Sequence, residues 1–180
     1  MNDFTEELDR LHYLSGAEFS RQVEQIALRK EFHPLETDEN IYSVGGEKSD
    51  DYQNLLTAAR KAVEFGFTVY MLPNPNKTRT PDFILLKKGV YRTYDLKTVY
   101  GKSSVGDSLI DSIGQCNRIL LNVLVDYSTR SLASAIKRYF EINDKAIEVL
   151  VFKGGRHFSI KRITVSRADY YVLFKKAYER

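Results

Sequence analysis

Pro81-Asp82-Phe83-Ile84-Leu85-Leu86-Lys87-Lys88-Gly89-Val90-Tyr91-Arg92-Thr93-Tyr94-Asp95-Leu96-Lys97 is the stretch that decides the fold. Phe83 to Leu86 and Val90 to Val99 are rich in β-formers, and Lys87-Lys88-Gly89 between them reads as a hairpin turn. A two-residue loop at Lys88-Gly89, with glycine second, gives cross-strand partners whose numbers sum to 177. Asp82 then faces Asp95, with Cβ atoms about 4.5–5.5 Å apart. Side chains alternate along a strand, so Lys97 shares the face of Asp95 while Leu96 points into a core on the other side. A slip of one residue would scatter this group.

Two carboxylates that close repel each other, and keeping both ionised requires a cation or a shared proton. A hard divalent ion, Mg²⁺ or Mn²⁺, held by oxygen ligands and retaining several waters, is the natural solution. Lys97 beside it can orient an attacking water, help deprotonate it, or neutralise charge developing on a phosphate. The chemistry that follows is metal-assisted phosphodiester hydrolysis, with Asp82, Asp95 and Lys97 as catalytic residues and Asp82 and Asp95 as metal ligands. The plainer alternative is a structural ion pair at a strand end.

Outward from the hairpin, Phe67 to Leu72 is a further β-rich run, stopped by Pro73-Asn74-Pro75-Asn76. Before it, Ser49, Asp50 and Asp51 offer N-caps for a helix running through Leu55, Leu56, Ala59, Ala62 and Val63 to Phe65, with Gly66 as its stop. After the hairpin, residues 107–118 read as a helix with Leu109, Ile110, Ile113 and Cys116 on one side, and Ile119 to Asp126 as a buried strand. Residues 50–127 therefore run helix, strand, strand, strand, helix, strand. Beyond them come a helix over residues 131–142, a hairpin at Lys153-Gly154-Gly155-Arg156, and a last helix over residues 166–178. Towards the N-terminus, residues 1–32 read as helical, with Ser15 capping a segment to Glu31, and residues 32–49 as a linker or surface loop. The expected organisation is an acidic helical extension and linker over residues 1–49, followed by one α/β domain over residues 50–180 with its core at 50–127.

Composition bounds the function. The 180 residues are 43% hydrophobic and 28% charged with four prolines, which is a folding chain rather than a disordered one. No apolar run approaches the roughly 20 residues of a membrane helix, and no signal peptide opens the chain. The single cysteine, Cys116, excludes an intramolecular disulfide and a cysteine-based zinc site. His12, His33 and His157 show no ligand spacing. The net charge of +3 conceals an asymmetry: residues 1–51 hold 13 acids and 5 bases, and residues 52–180 hold 11 acids and 22 bases. A basic body of this kind suits a polyanion such as nucleic acid. Lys77, Arg79, Lys102, Ser103 and Ser104 lie beside the site in sequence and can reach phosphates flanking the cleaved bond. Near the C-terminus Lys153, Arg156, His157, Lys161, Arg162 and Arg167 alternate with Phe158 and Tyr170, a candidate nucleic-acid surface. Tyr170, Tyr171 and Phe174 serve equally well to pack the last helix on the core.

At Pro81-Asp82 and Asp95-Leu96-Lys97 the sequence resembles the PD-(D/E)xK nuclease superfamily, whose members share a restriction-endonuclease-like αβββαβ core. Many members place a further acid on the first core helix and a glutamine or other polar residue on the helix after the third strand. That implies Asp51 as a third metal ligand, although Asp51 also suits a helix cap, and Gln115 as a residue that orients the phosphate. A finer resemblance, over residues 51–126, is to the C-terminal tRNA nuclease domains of contact-dependent growth inhibition and related polymorphic toxins. It rests on Phe65-Gly66-Phe67-Thr68-Val69, Met71-Leu72-Pro73, Thr80-Pro81-Asp82-Phe83, Asp95-Leu96-Lys97-Thr98, Ser103-Ser104 and Gln115. It implies an RNA substrate, tRNA above all, an immunity protein as partner, action in the cytoplasm, and delivery as part of a larger toxin or phage-associated protein. A DNA endonuclease of the same superfamily and a non-catalytic nucleic-acid-binding or assembly protein are the alternatives.

Overall fold

The structure is a computed structural model that describes residues 4–74, 79–101 and 104–180. Among the described residues the chain is mixed α/β, with eight strands and seven α-helices. It divides into two compact units, Met1–Tyr94 and Asp95–Arg180, so residue 49 falls inside the first unit. The border lies within strand β5 (Val90–Val99), whose residues 90–94 pair with β4 and whose residues 95–99 pair with β6.

The first unit opens with α1 (Phe4–Arg10), a 3-10 turn and α2 (Gly16–Ala27). The helical stretch expected over residues 1–32 is broken where Leu14 is extended and Gly16 takes φ +56°, and α2 stops short of Glu31. The segment expected as linker or loop forms two strands, β1 (His33–Leu35) and β2 (Asp38–Ser43). Only Ile41 of β2 is fully buried, so no apolar alternation marks it in the sequence. Strand β2 runs parallel to β3 (Thr68–Met71), with α3 (Tyr52–Glu64) between them in the chain. Helix α3 ends as its glycine demands: Gly66 sits at φ +82°, its N–H donates to Val63 O, and the Phe67 N–H donates to Ala62 O. Strand β3 pairs antiparallel with β4 (Phe83–Lys87), and β4 with β5. The β4–β5 pairs run from Phe83↔Tyr94 to Lys87↔Val90, the register summing to 177, around Lys88 and Gly89 at φ +51° and +76°. Two positive φ values in a two-residue loop make a type I′ turn, whose twist matches the strands it joins. Leu8, Leu11, Val23 and Ile26 from the N-terminal helices close over Tyr70, Leu72 and Ile84 to form this unit's core.

In the second unit β5 is parallel to β6 (Arg118–Val123), β6 is parallel to β7 (Glu148–Lys153), and β8 (Arg156–Lys161) returns antiparallel through Gly154-Gly155. Helices α4 (Val105–Asp111) and α5 (Thr129–Ile142) precede and follow β6. The core gathers Ile119, Leu121 and Val123 with Leu132, Ile136, Phe140, Tyr170 and Phe174. Two helices are shorter than expected. The one expected over residues 107–118 is α4 alone, followed by turns in which Gly114 takes φ +91°. The last, expected over residues 166–178, is α7 (Tyr170–Tyr178) alone, preceded by a separate short helix α6 (Arg162–Val165). Across residues 50–127 the observed order is helix, strand, strand, strand, helix, strand, and the C-terminal helix, hairpin and helices follow. Among the described residues no helix is long and apolar enough to cross a membrane.

Candidate functional site

Within the second unit, β5 places Asp95 and Lys97 two residues apart and on one face, the face their β6 partners Ile119 and Leu121 give to the core. Asp95 is 3% exposed, and the Lys97 ammonium lies 2.9 Å from its Oδ2. A carboxylate this deep in an apolar layer is costly unless it is paired, and the pairing here comes from the same strand. Leu96, between them, points away and is buried, as alternation requires.

Gln115, delivered by the turns after α4 rather than by the helix itself, completes the group. Its carboxamide has two orientations. With Oε1 turned inward it accepts from Lys97 Nζ at 3.4 Å but sets oxygen against both oxygens of Asp95. With Nε2 turned inward it donates to Asp95 Oδ1 at 2.9 Å and Oδ2 at 3.0 Å. The second orientation satisfies the carboxylate.

Behind this group lies Tyr139 of α5, fully buried, which accepts a hydrogen bond from Asn143 Nδ2 at 3.2 Å. Burial pushes its phenol up to about 12, the Asn143 bond partly offsets this, and the nearby charges of Cys116 and Asp95 push the same way as burial. Tyr139 therefore stays a neutral phenol across the physiological range. Its proximity to Asp95 has no signal in the sequence, where it reads as one more apolar position of an amphipathic helix.

Asp82 and Asp51 belong to the first unit. Asp82 is half-buried immediately before β4, its N–H donating to Tyr94 O and its carbonyl accepting from the Leu72 N–H, each at 2.9 Å. It lines a cleft of about 1000 Å³ together with Asp51, Tyr52, Lys48, Met71 and Leu72. Asp51 is exposed at the N-cap of α3, where its carboxylate accepts from Asn54 Nδ2 at 3.2 Å instead of bonding a backbone N–H of the helix. Arg79 is exposed, and its carbonyl accepts from His12 Nε2 at 2.9 Å. Ser104 caps α4, its Oγ accepting from the Asp107 N–H at 3.2 Å. Lys77, Lys102 and Ser103 lie outside the described residues.

Among the described residues no three or more His, Cys, Asp or Glu side chains converge on a point. Mg²⁺ and Mn²⁺ do not require such a group, because they keep several waters and are held by one or two carboxylates. The donor chemistry of the Asp95 group fits them: a carboxylate, and a carboxamide that offers Oε1 after half a turn, are both hard oxygen donors.

No family model and no curated protein matches the chain. A solved structure described as "CdiA-CT/CdiI toxin and immunity complex from Burkholderia pseudomallei" is similar to it, with a TM-score of 0.42 and 16% identity over 65% of this chain and 92% of that one.

Proposed function

We propose that the chain is a metal-dependent endonuclease of the PD-(D/E)xK type, a toxin-like nuclease that hydrolyses phosphodiester bonds in RNA, with tRNA as the favoured substrate and an immunity protein as its partner. The observation that carries this reading is the buried Asp95 carboxylate held between the Lys97 ammonium at 2.9 Å and the Gln115 amide. An acid and a base kept together at depth are expensive for folding alone and suit a site that handles charge on phosphate. Asp82 is the second carboxylate of the sequence reading; the observed β4–β5 pairs stop at Phe83↔Tyr94, where the Asp82 N–H donates to Tyr94 O. The RNA preference rests on the sequence resemblance.

Asp82 and Asp95 would hold Mg²⁺ or Mn²⁺, and the ion would supply Lewis acidity at the phosphate. Lys97 neutralises charge that develops on the non-bridging oxygens and orients the attacking water. Gln115 fixes the Asp95 carboxylate so that one oxygen keeps facing Lys97. Asp51, which lines the same cleft as Asp82, is the reserve ligand.

The test is incubation of the full chain with end-labelled tRNA, an unrelated RNA and double-stranded DNA, each with Mg²⁺, Mn²⁺ or EDTA. The expected result is cleavage of tRNA that stops with EDTA. Cleavage of the DNA alone would move the chain to the DNA endonucleases, and no cleavage of any substrate would point to a binding or assembly role.

A further inference from the structure

The second unit holds a cavity of about 360 Å³ at the end of α5 and the start of α7, whose lining includes none of Asp95, Lys97 and Gln115. We propose that it is a subsite for single-stranded nucleic acid, which takes an unpaired base on the ring of Tyr171 and neighbouring phosphates on Lys137 and Arg167. That the ligand is nucleic acid rests on the nuclease reading; the shape and charge of the subsite do not.

Three aromatic residues open α7, and the structure separates their roles. Tyr170 and Phe174 are 1% and 0% exposed in the core, while Tyr171 is 42% exposed at the cavity. Core packing accounts for the first two; the Tyr171 ring packs 5.2 Å from that of Tyr170 and keeps its outer part in solvent. The Lys137 ammonium stands over one face of the Tyr171 ring, 5.7 Å from its centroid, and the Tyr171 hydroxyl is 3.2 Å from Ser134 Oγ, so the ring is fixed in place and a base stacks on it beside or in exchange for that ammonium. Among the described residues Lys137 forms no ion pair.

The electrostatics favour an anion. Lys137, Arg162 and Arg167 line the cavity against one acid, Glu141. Arg162 spends its donors on the carbonyls of Phe140, Asn143 and Ala146 at 2.8, 2.6 and 3.3 Å, which leaves its positive charge without a carboxylate. Arg167 is paired with Asp169 on an exposed loop through two bonds, Nε to Oδ1 at 2.8 Å and Nη2 to Oδ2 at 3.0 Å, a bidentate geometry that a phosphate can take over in exchange. An exposed aromatic face flanked by cations is the combination that binds successive bases and phosphates of an unpaired strand, whereas bases in a duplex are already stacked on each other.

The experiment is fluorescence anisotropy of a labelled single-stranded RNA 12-mer (roughly one single-strand site in length) titrated with the full chain in EDTA, at several salt concentrations. The expected result is binding about tenfold weaker for Tyr171→Ala, and unchanged for Tyr171→Phe, which keeps the ring. Lys137→Ala should flatten the dependence of log Kd on log salt by about 0.7, the value of one phosphate contact on a single strand. Absence of wild-type binding, equal binding by Tyr171→Ala at an unchanged unfolding midpoint, or equal affinity for a duplex of the same sequence overturns the subsite. Because EDTA removes any cleavage, a loss at Tyr171 stands even if no metal-loaded protein cuts RNA, and cleavage with no loss at Tyr171 removes only the subsite.

Discussion

Lys97 Nζ lies 2.9 Å from Asp95 Oδ2, two residues along one strand, with side chains 24% and 5% exposed. Removing the lysine takes the opposite charge from a buried carboxylate and leaves it the Gln115 amide. Lys97→Met should therefore lower stability by about 2–3 kcal/mol, somewhat below the ~3–5 of a fully buried pair because Lys97 reaches solvent. Urea unfolding of Lys97→Met and of the double variant with Asp95→Asn checks this, and the double variant should recover much of the loss.

Gln115→Glu sets a second carboxylate within reach of both Asp95 oxygens. Two carboxylates at this distance repel each other. At neutral pH the unfolding midpoint should fall, and Mg²⁺ should raise it more in Gln115→Glu than in the wild type. A midpoint insensitive to Mg²⁺ in both proteins would argue against oxygen ligation of a metal at this group.

Arg60 on α3 grips Asp38 on β2 through two bonds, Nε to Oδ1 at 3.0 Å and Nη2 to Oδ2 at 2.8 Å. The Arg60 guanidinium, helped by the Thr37 hydroxyl, holds the Asp38 carboxyl below its ordinary 3.8. A lowered folded-state pKa contributes stability above the unfolded value that is lost as pH falls through the folded one. The difference in unfolding midpoint between wild type and Arg60→Ala should therefore be present at neutral pH and close in acid below 3.8.

Lys88 occupies φ +51° ahead of Gly89. Lys88→Asn converts the turn to Asn-Gly, the pair best suited to a type I′ loop, and should stabilise the chain by about 0.5–1 kcal/mol. Urea unfolding measures it, and Gly89→Ala should act in the opposite direction.

The hairpin could be read from sequence because its turn chemistry and its β-rich strands agree, which left one register for β4 and β5. Strands β1 and β2 could not, because Asp38, Glu39 and Asn40 break any alternation and the pairing of β2 with β3 is parallel and non-local. Asp95 and Lys97 were legible from spacing alone. Gln115 was legible as a polar residue near them, but its delivery by a turn depends on Gly114 at φ +91°, which helical periodicity conceals. The nearness of Tyr139 to Asp95 depends on α5 packing over β6, a relationship between elements that local pattern does not encode.

On the proposed function Asp95 is a catalytic carboxylate and not a structural ion pair. Single-turnover cleavage of end-labelled tRNA with Mg²⁺, by wild type and by Asp95→Asn matched for unfolding midpoint, tests it most directly. Asp95→Asn should lose at least about a thousandfold in rate, in line with the removal of a preorganised charge-stabilising group. Cleavage by Asp95→Asn at the wild-type rate would contradict it.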